Sequence, residues 1–82
     1  MAHGQTVRGA ARAAETCLDR HGWNARRADA GRTVDAVPPR DRGWYSVAFY
    51  RSGKVIRWNA SRQGLTYREG KLAAACTRAA VR

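Results

Sequence analysis

One stretch constrains this chain more than any other. From Trp44 to Ala60, apolar side chains alternate with polar or small ones on both sides of Arg51-Ser52-Gly53-Lys54. A period of two is the mark of a half-buried strand. A glycine between two such runs supplies the positive φ that a tight turn needs. The stretch therefore predicts a β-hairpin with strands Trp44–Tyr50 and Val55–Ala60. With Ser52-Gly53 as the loop, Tyr50 opposes Val55 and Phe49 opposes Ile56. One face then carries Tyr45, Val47, Phe49, Ile56, Trp58 and Ala60. The other carries Trp44, Ser46, Ala48, Tyr50, Val55, Arg57 and Asn59. A slip of one residue would place Arg57 among the apolar side chains, so the segregation itself sets the faces.

Two helices flank this hairpin in the sequence. Val7, Ala10, Ala11, Ala14, Cys17, Leu18 and His21 recur at helical spacing, which predicts a helix over Thr6–His21. Thr6 is placed to cap its first turn and Gly22 to end it. Its outer face alternates Arg8, Arg12, Glu15 and Asp19, an ordinary solvated pattern. The second helix is expected over Tyr67–Val81, opened by a T-x-x-E capping box at Thr66 and Glu69. Leu72, Ala73, Cys76, Ala79 and Ala80 form its apolar side. Residues 23–43 give weaker signals. Trp23 is expected to pack back under the first helix. Thr33–Val37 reads as a short strand, with a partner near Trp23–Arg27 turned by Asp29-Ala30-Gly31. Pro38-Pro39 ends regular structure there. The reading is one small α+β domain spanning 1–82. It has two layers: an antiparallel sheet of three to four strands, with the N- and C-terminal helices packed on one face.

Charge decides which functions fit such a domain. The chain carries 16 Lys and Arg against 6 Asp and Glu, a net charge of +10. Residues 1–41 hold seven basic and five acidic residues, whereas residues 42–82 hold nine basic residues and one acid. A genome-wide bias toward Arg and Ala would spread evenly, so this asymmetry points to an anionic partner for the second half. On the second helix, Arg68, Lys71, Arg78 and Arg82 fall within about 80° of one another, apart from the apolar side. Arg51, Lys54, Arg57 and Arg62 add cations from the hairpin. Arginine suits phosphate because its planar fork binds it bidentately. Trp44 and Tyr50 lie beside Arg57 on the far face of the hairpin, where aromatics interleaved with arginine suit base stacking.

Other chemistries are poorly supplied. There is no His after residue 21 and one acid after residue 41, so no acid–base pair can be assembled from the second half. Gly53-Lys54 does not sit in a P-loop. No enzyme activity and no cofactor are expected. Cys17, His21 and Cys76 could converge as zinc ligands, with His3 as a fourth, but no close cysteine pair accompanies them. No metal is expected, and the cysteines read as reduced thiols. The longest apolar run, Leu72–Cys76, is far too short for a membrane helix, and the N-terminus lacks a signal-peptide core. A cytoplasmic location without membrane contact follows as the expectation.

The order of hairpin, Thr66-containing link and Ala-rich helix over the last forty residues resembles the three-stranded-sheet-plus-helix DNA binders of plant transcription factors and integrase arms. The helix–sheet–helix order is also similar to double-stranded RNA-binding domains. Both resemblances are of topology alone, and both imply nucleic-acid binding. The leading expectation is therefore a non-enzymatic binder of DNA or RNA. Its contacts would be Arg51, Lys54, Arg57, Arg62, Arg68, Lys71, Arg78 and Arg82, with Trp44 and Tyr50. The alternative is a small inhibitor or anti-defence protein, such as a phage or mobile element encodes, bound to an acidic protein surface. A homodimer across the face bearing Trp44, Ala48, Tyr50 and Val55 is a third expectation.

Overall fold

The computed structural model describes residues 5–82. The elements run α1 (Val7–Arg20), β1 (Asn24–Ala28), β2 (Thr33–Val37), β3 (Trp44–Ser52), β4 (Val55–Gln63) and α2 (Tyr67–Ala80). The four strands form one antiparallel sheet in the order β1-β2-β3-β4. Both helices lie on one face of it, which makes the two-layer α+β arrangement expected from the sequence.

Local chemistry explains each boundary. The Thr6 hydroxyl accepts from the Gly9 amide at 2.9 Å and opens α1. At the other end, the Trp23 amide donates to Leu18 O and the Gly22 amide to Asp19 O, both at 3.0 Å. That pair of bonds is a Schellman cap. It turns the chain so that Trp23, only 4% exposed, packs back against the helix it leaves. Thr66 and Glu69 complete the capping box of α2 in both directions.

The hairpin keeps its expected faces but not its expected register. Phe49 pairs with Trp58 and Tyr50 with Arg57, not with Ile56 and Val55. The ladder has moved by two residues, which preserves parity. The loop is Gly53-Lys54, and Gly53 takes φ +64° at its first position. A two-residue loop with glycine first matches the twist of the flanking strands, so it wins over Ser52-Gly53. Both strands also run further than expected, to Ser52 and Gln63.

The core lies between α1 and the inner sheet face. Ala10, Ala11, Ala14 and Leu18 pack on Val34, Ala36, Val47 and Phe49, all buried. α2 lies mainly along α1 and meets the sheet chiefly at β3. Its buried side is Gly70, Ala73, Cys76, Thr77 and Ala80. Leu72 is half-buried and Ala79 exposed, contrary to the sequence expectation. Thr77 takes the inner place because its hydroxyl is satisfied twice. It donates to Ala73 O at 2.9 Å and accepts from the Tyr45 hydroxyl at 2.6 Å. Burial pushes the Tyr45 phenol up from its ordinary range.

A second correction concerns the cysteines. Cys17 and Cys76 form a disulfide across the α1–α2 interface, with Cα atoms 5.6 Å apart. The expectation of reduced thiols started from compartment and not from geometry. Small residues on both helices, Ala14, Ala73 and Ala80 among them, allow an approach close enough for bridging. His21 stands beside this pair, and its ring Nδ1 lies 2.9 Å from Cys17 O. The three residues do converge, but sulfurs joined to each other offer no thiolate to a metal. His3 lies outside the described residues. No helix among the described residues is long and apolar enough to cross a membrane.

Candidate nucleic-acid interface

The ten site residues expected from the sequence divide between two surfaces and the hairpin tip. Trp44, Tyr50 and Arg57 lie on the outer face of the sheet, away from the helices. Tyr50 and Arg57 are direct cross-strand partners there. Trp44 and Tyr50 are each 41% exposed, so no element among the described residues covers that face. A shallow hollow next to Trp44 is lined by Asn24, Arg26, Asp35, Val37 and Ser46. The Asp35 carboxylate in it accepts from the Ser46 hydroxyl at 2.8 Å. This surface is mixed in charge and partly apolar.

The second surface is made by α2 and the edge strand β4. Arg62 points to the helix side of the sheet, since it pairs with Tyr45 of the core face. A groove of about 350 Å³ lies there, and Arg62, Lys71 and Arg78 all line it. Its floor includes Gly70, which is buried. A Cβ on Gly70 would overlap the Arg62 guanidinium, so glycine is what lets this arginine lie against the helix. Arg68 and Arg82 extend the same side of α2 beyond the groove. All five cations are exposed. Arg51 and Lys54 sit at the hairpin tip, where Arg51 donates to Gln5 O at 3.2 Å.

Acids are kept away from this surface. Glu69 is the one carboxylate of the second half, and it faces Arg40 instead of the ridge. Arg40 Nη2 and Nε reach its two oxygens at 2.7 and 3.0 Å. The Arg40 guanidinium, followed by the Thr66 amide, holds the Glu69 carboxyl at about 2, and Arg40 is raised in turn by the same pairing. Glu15 is paired with Arg27 and Asp29 with Arg32. Among the described residues, no ion pair involves Arg62, Arg68, Lys71, Arg78 or Arg82.

One member of the groove escaped sequence reasoning. Tyr67 is 81% exposed and lines the groove at the first turn of α2. The Lys71 ammonium lies 5.4 Å from its ring centroid. Tyr67, Lys71, Ala74 and Arg78 recur at helical spacing, so the signal was present in the sequence. The place of Tyr67 in the first turn, directly after the Thr66 cap, hides that periodicity. No family model, curated protein or solved structure matches this chain.

Proposed function

We propose that this protein binds nucleic acid, without catalysis, through the basic surface of α2 and β4. The observation that carries the proposal is the groove in which Arg62, Lys71 and Arg78 converge with no acid among them. Like charges gathered on one surface repel, and a polyanion offsets that cost while releasing its own counterions. Arg68 and Arg82 continue the track along the helix. Trp44, Tyr50 and Arg57 lie on the opposite face of the sheet, so they serve a different contact or none with the same strand.

The test is fluorescence anisotropy with short DNA and RNA across a salt series. If four phosphates are neutralised, affinity for duplex DNA falls about a hundredfold between about 50 and 200 mM salt. The variant carrying Arg68→Glu, Lys71→Glu and Arg78→Glu is expected to lose binding while its circular dichroism stays that of the parent. Unchanged affinity would remove α2 from the interface. Binding that vanishes at about 150 mM salt would turn the reading toward an acidic protein surface, and a stoichiometric acidic partner would then be sought by pull-down. A cytoplasmic site of action sets the Cys17–Cys76 bond against the thiol-reducing pool, so the proposal expects the reduced protein to keep its fold and its binding.

A further inference from the structure

We infer that the α2–β4 groove is a single-strand site: Arg62, Lys71 and Arg78 hold a backbone phosphate while an adjoining unpaired base stacks on Tyr67. This rests on the nucleic-acid reading and specifies its ligand. Two features of the groove lead to it. The first is the cation cluster. Arg62 lies directly over Gly70, where any larger residue would displace it. A glycine inside a helix weakens it relative to alanine, and here it gives a guanidinium access to the helix surface. Lys71 and Arg78 complete the cluster from one side of α2.

The second is the ring. At 81% exposure, Tyr67 buries almost nothing and contributes little to the core. Lys71 covers one of its faces. The opposite face is open, and it is flat, aromatic and next to three cations. A base stacks on such a face whatever its identity, and a neighbouring cation strengthens the contact. Duplex hides the faces of its bases within its own stack, so it can meet the ridge at Arg68 and Arg82 but cannot place a base on Tyr67. The pairing of ring and phosphate cradle therefore favours an unpaired strand.

The experiment compares fluorescein-labelled dT12, rU12 and a 12-base-pair DNA duplex on the full chain at about 150 mM salt. Wild type is expected to prefer the single strands. The more tightly held of dT12 and rU12 shows which of these two strands the site prefers. Tyr67→Ala should weaken single-strand binding about tenfold or more and shrink the preference over duplex. Tyr67→Phe should retain that preference, because the ring does the stacking. Gly70→Ala should weaken single-strand binding by displacing Arg62, with helix content unchanged by circular dichroism. A chain that binds duplex as well as dT12, with Tyr67→Ala altering both alike, overturns the single-strand site and leaves nucleic-acid binding standing. A chain that binds none of the three overturns both.

Discussion

Glu69 shows how one residue can serve the fold and clear the way for function. It closes the capping box of α2, and its carboxylate takes the Arg40 guanidinium in a two-point contact. Its pKa stands at about 2, against an ordinary 4.5. A carboxyl whose folded pKa is depressed stabilises the fold in its charged form. That contribution is whole above about pH 4.5 and is lost as pH falls through about 2. Glutamine can still close a capping box but cannot pair with Arg40 as an ion. Glu69→Gln is therefore expected to lower the melting temperature at pH 7. The gap to wild type should narrow from pH 4.5 downward and close near pH 2. Thermal melts by circular dichroism across that range check it, and a gap independent of pH would show that charge is not what Glu69 supplies. By holding Glu69, Arg40 also keeps the one acid of the second half off the basic ridge.

Between elements, the Cys17–Cys76 bond joins the two helices over a sequence separation of 59. Closing a loop of that length removes about 4 kcal/mol of chain entropy from the unfolded state. The variant Cys17→Ala with Cys76→Ala is expected to lose up to that amount, read as a lower midpoint in urea. It should remain folded at 25 °C if α1 and α2 hold by packing alone. A double variant unfolded at that temperature would make the bond indispensable, and a reducing site of action would then be untenable. Elements were more legible in this sequence than their meetings. Thr6, Gly22, Thr66 and Glu69 mark helix ends by chemistry confined to one turn, and all four act as the sequence implied. The faces of the hairpin were legible because parity survives any two-residue shift. The register was not, because it turns on whether Ser52-Gly53 or Gly53-Lys54 forms the loop. The disulfide was not, because it depends on how closely two alanine-rich faces approach. The basic side of α2 was legible from spacing alone. That Arg62 joins it while Trp44, Tyr50 and Arg57 face the other way required knowing which side of the sheet the helices cover.

For the molecule as a whole, the charge proposed to meet a polyanion should oppose folding. The net charge is +10, and the cations of α2 stand exposed without acidic partners among the described residues. Repulsion of this kind destabilises the compact state and is screened by salt, with a Debye length of about 10 Å at 0.1 M. Two consequences follow in the free protein. Raising sodium chloride from about 20 to 300 mM should raise the wild-type melting temperature. Neutralising the ridge, as Arg68→Gln with Lys71→Gln and Arg78→Gln, should raise it at low salt and flatten its salt response. In a domain of this size, 1 kcal/mol moves the midpoint by about 4–8 °C, so even a modest relief of repulsion is measurable by calorimetry. The same triple variant should bind nucleic acid more weakly, so stability and affinity would move in opposite directions. That opposition separates a working surface from a merely solvated one. Charges held in internal pairs would lose stability on neutralisation, and a ridge with no partner would gain nothing from an anion that never comes. A wild-type midpoint that falls as salt rises would mean that the ridge cations are held by attraction within the fold, and the argument for an external polyanion would lose its electrostatic basis.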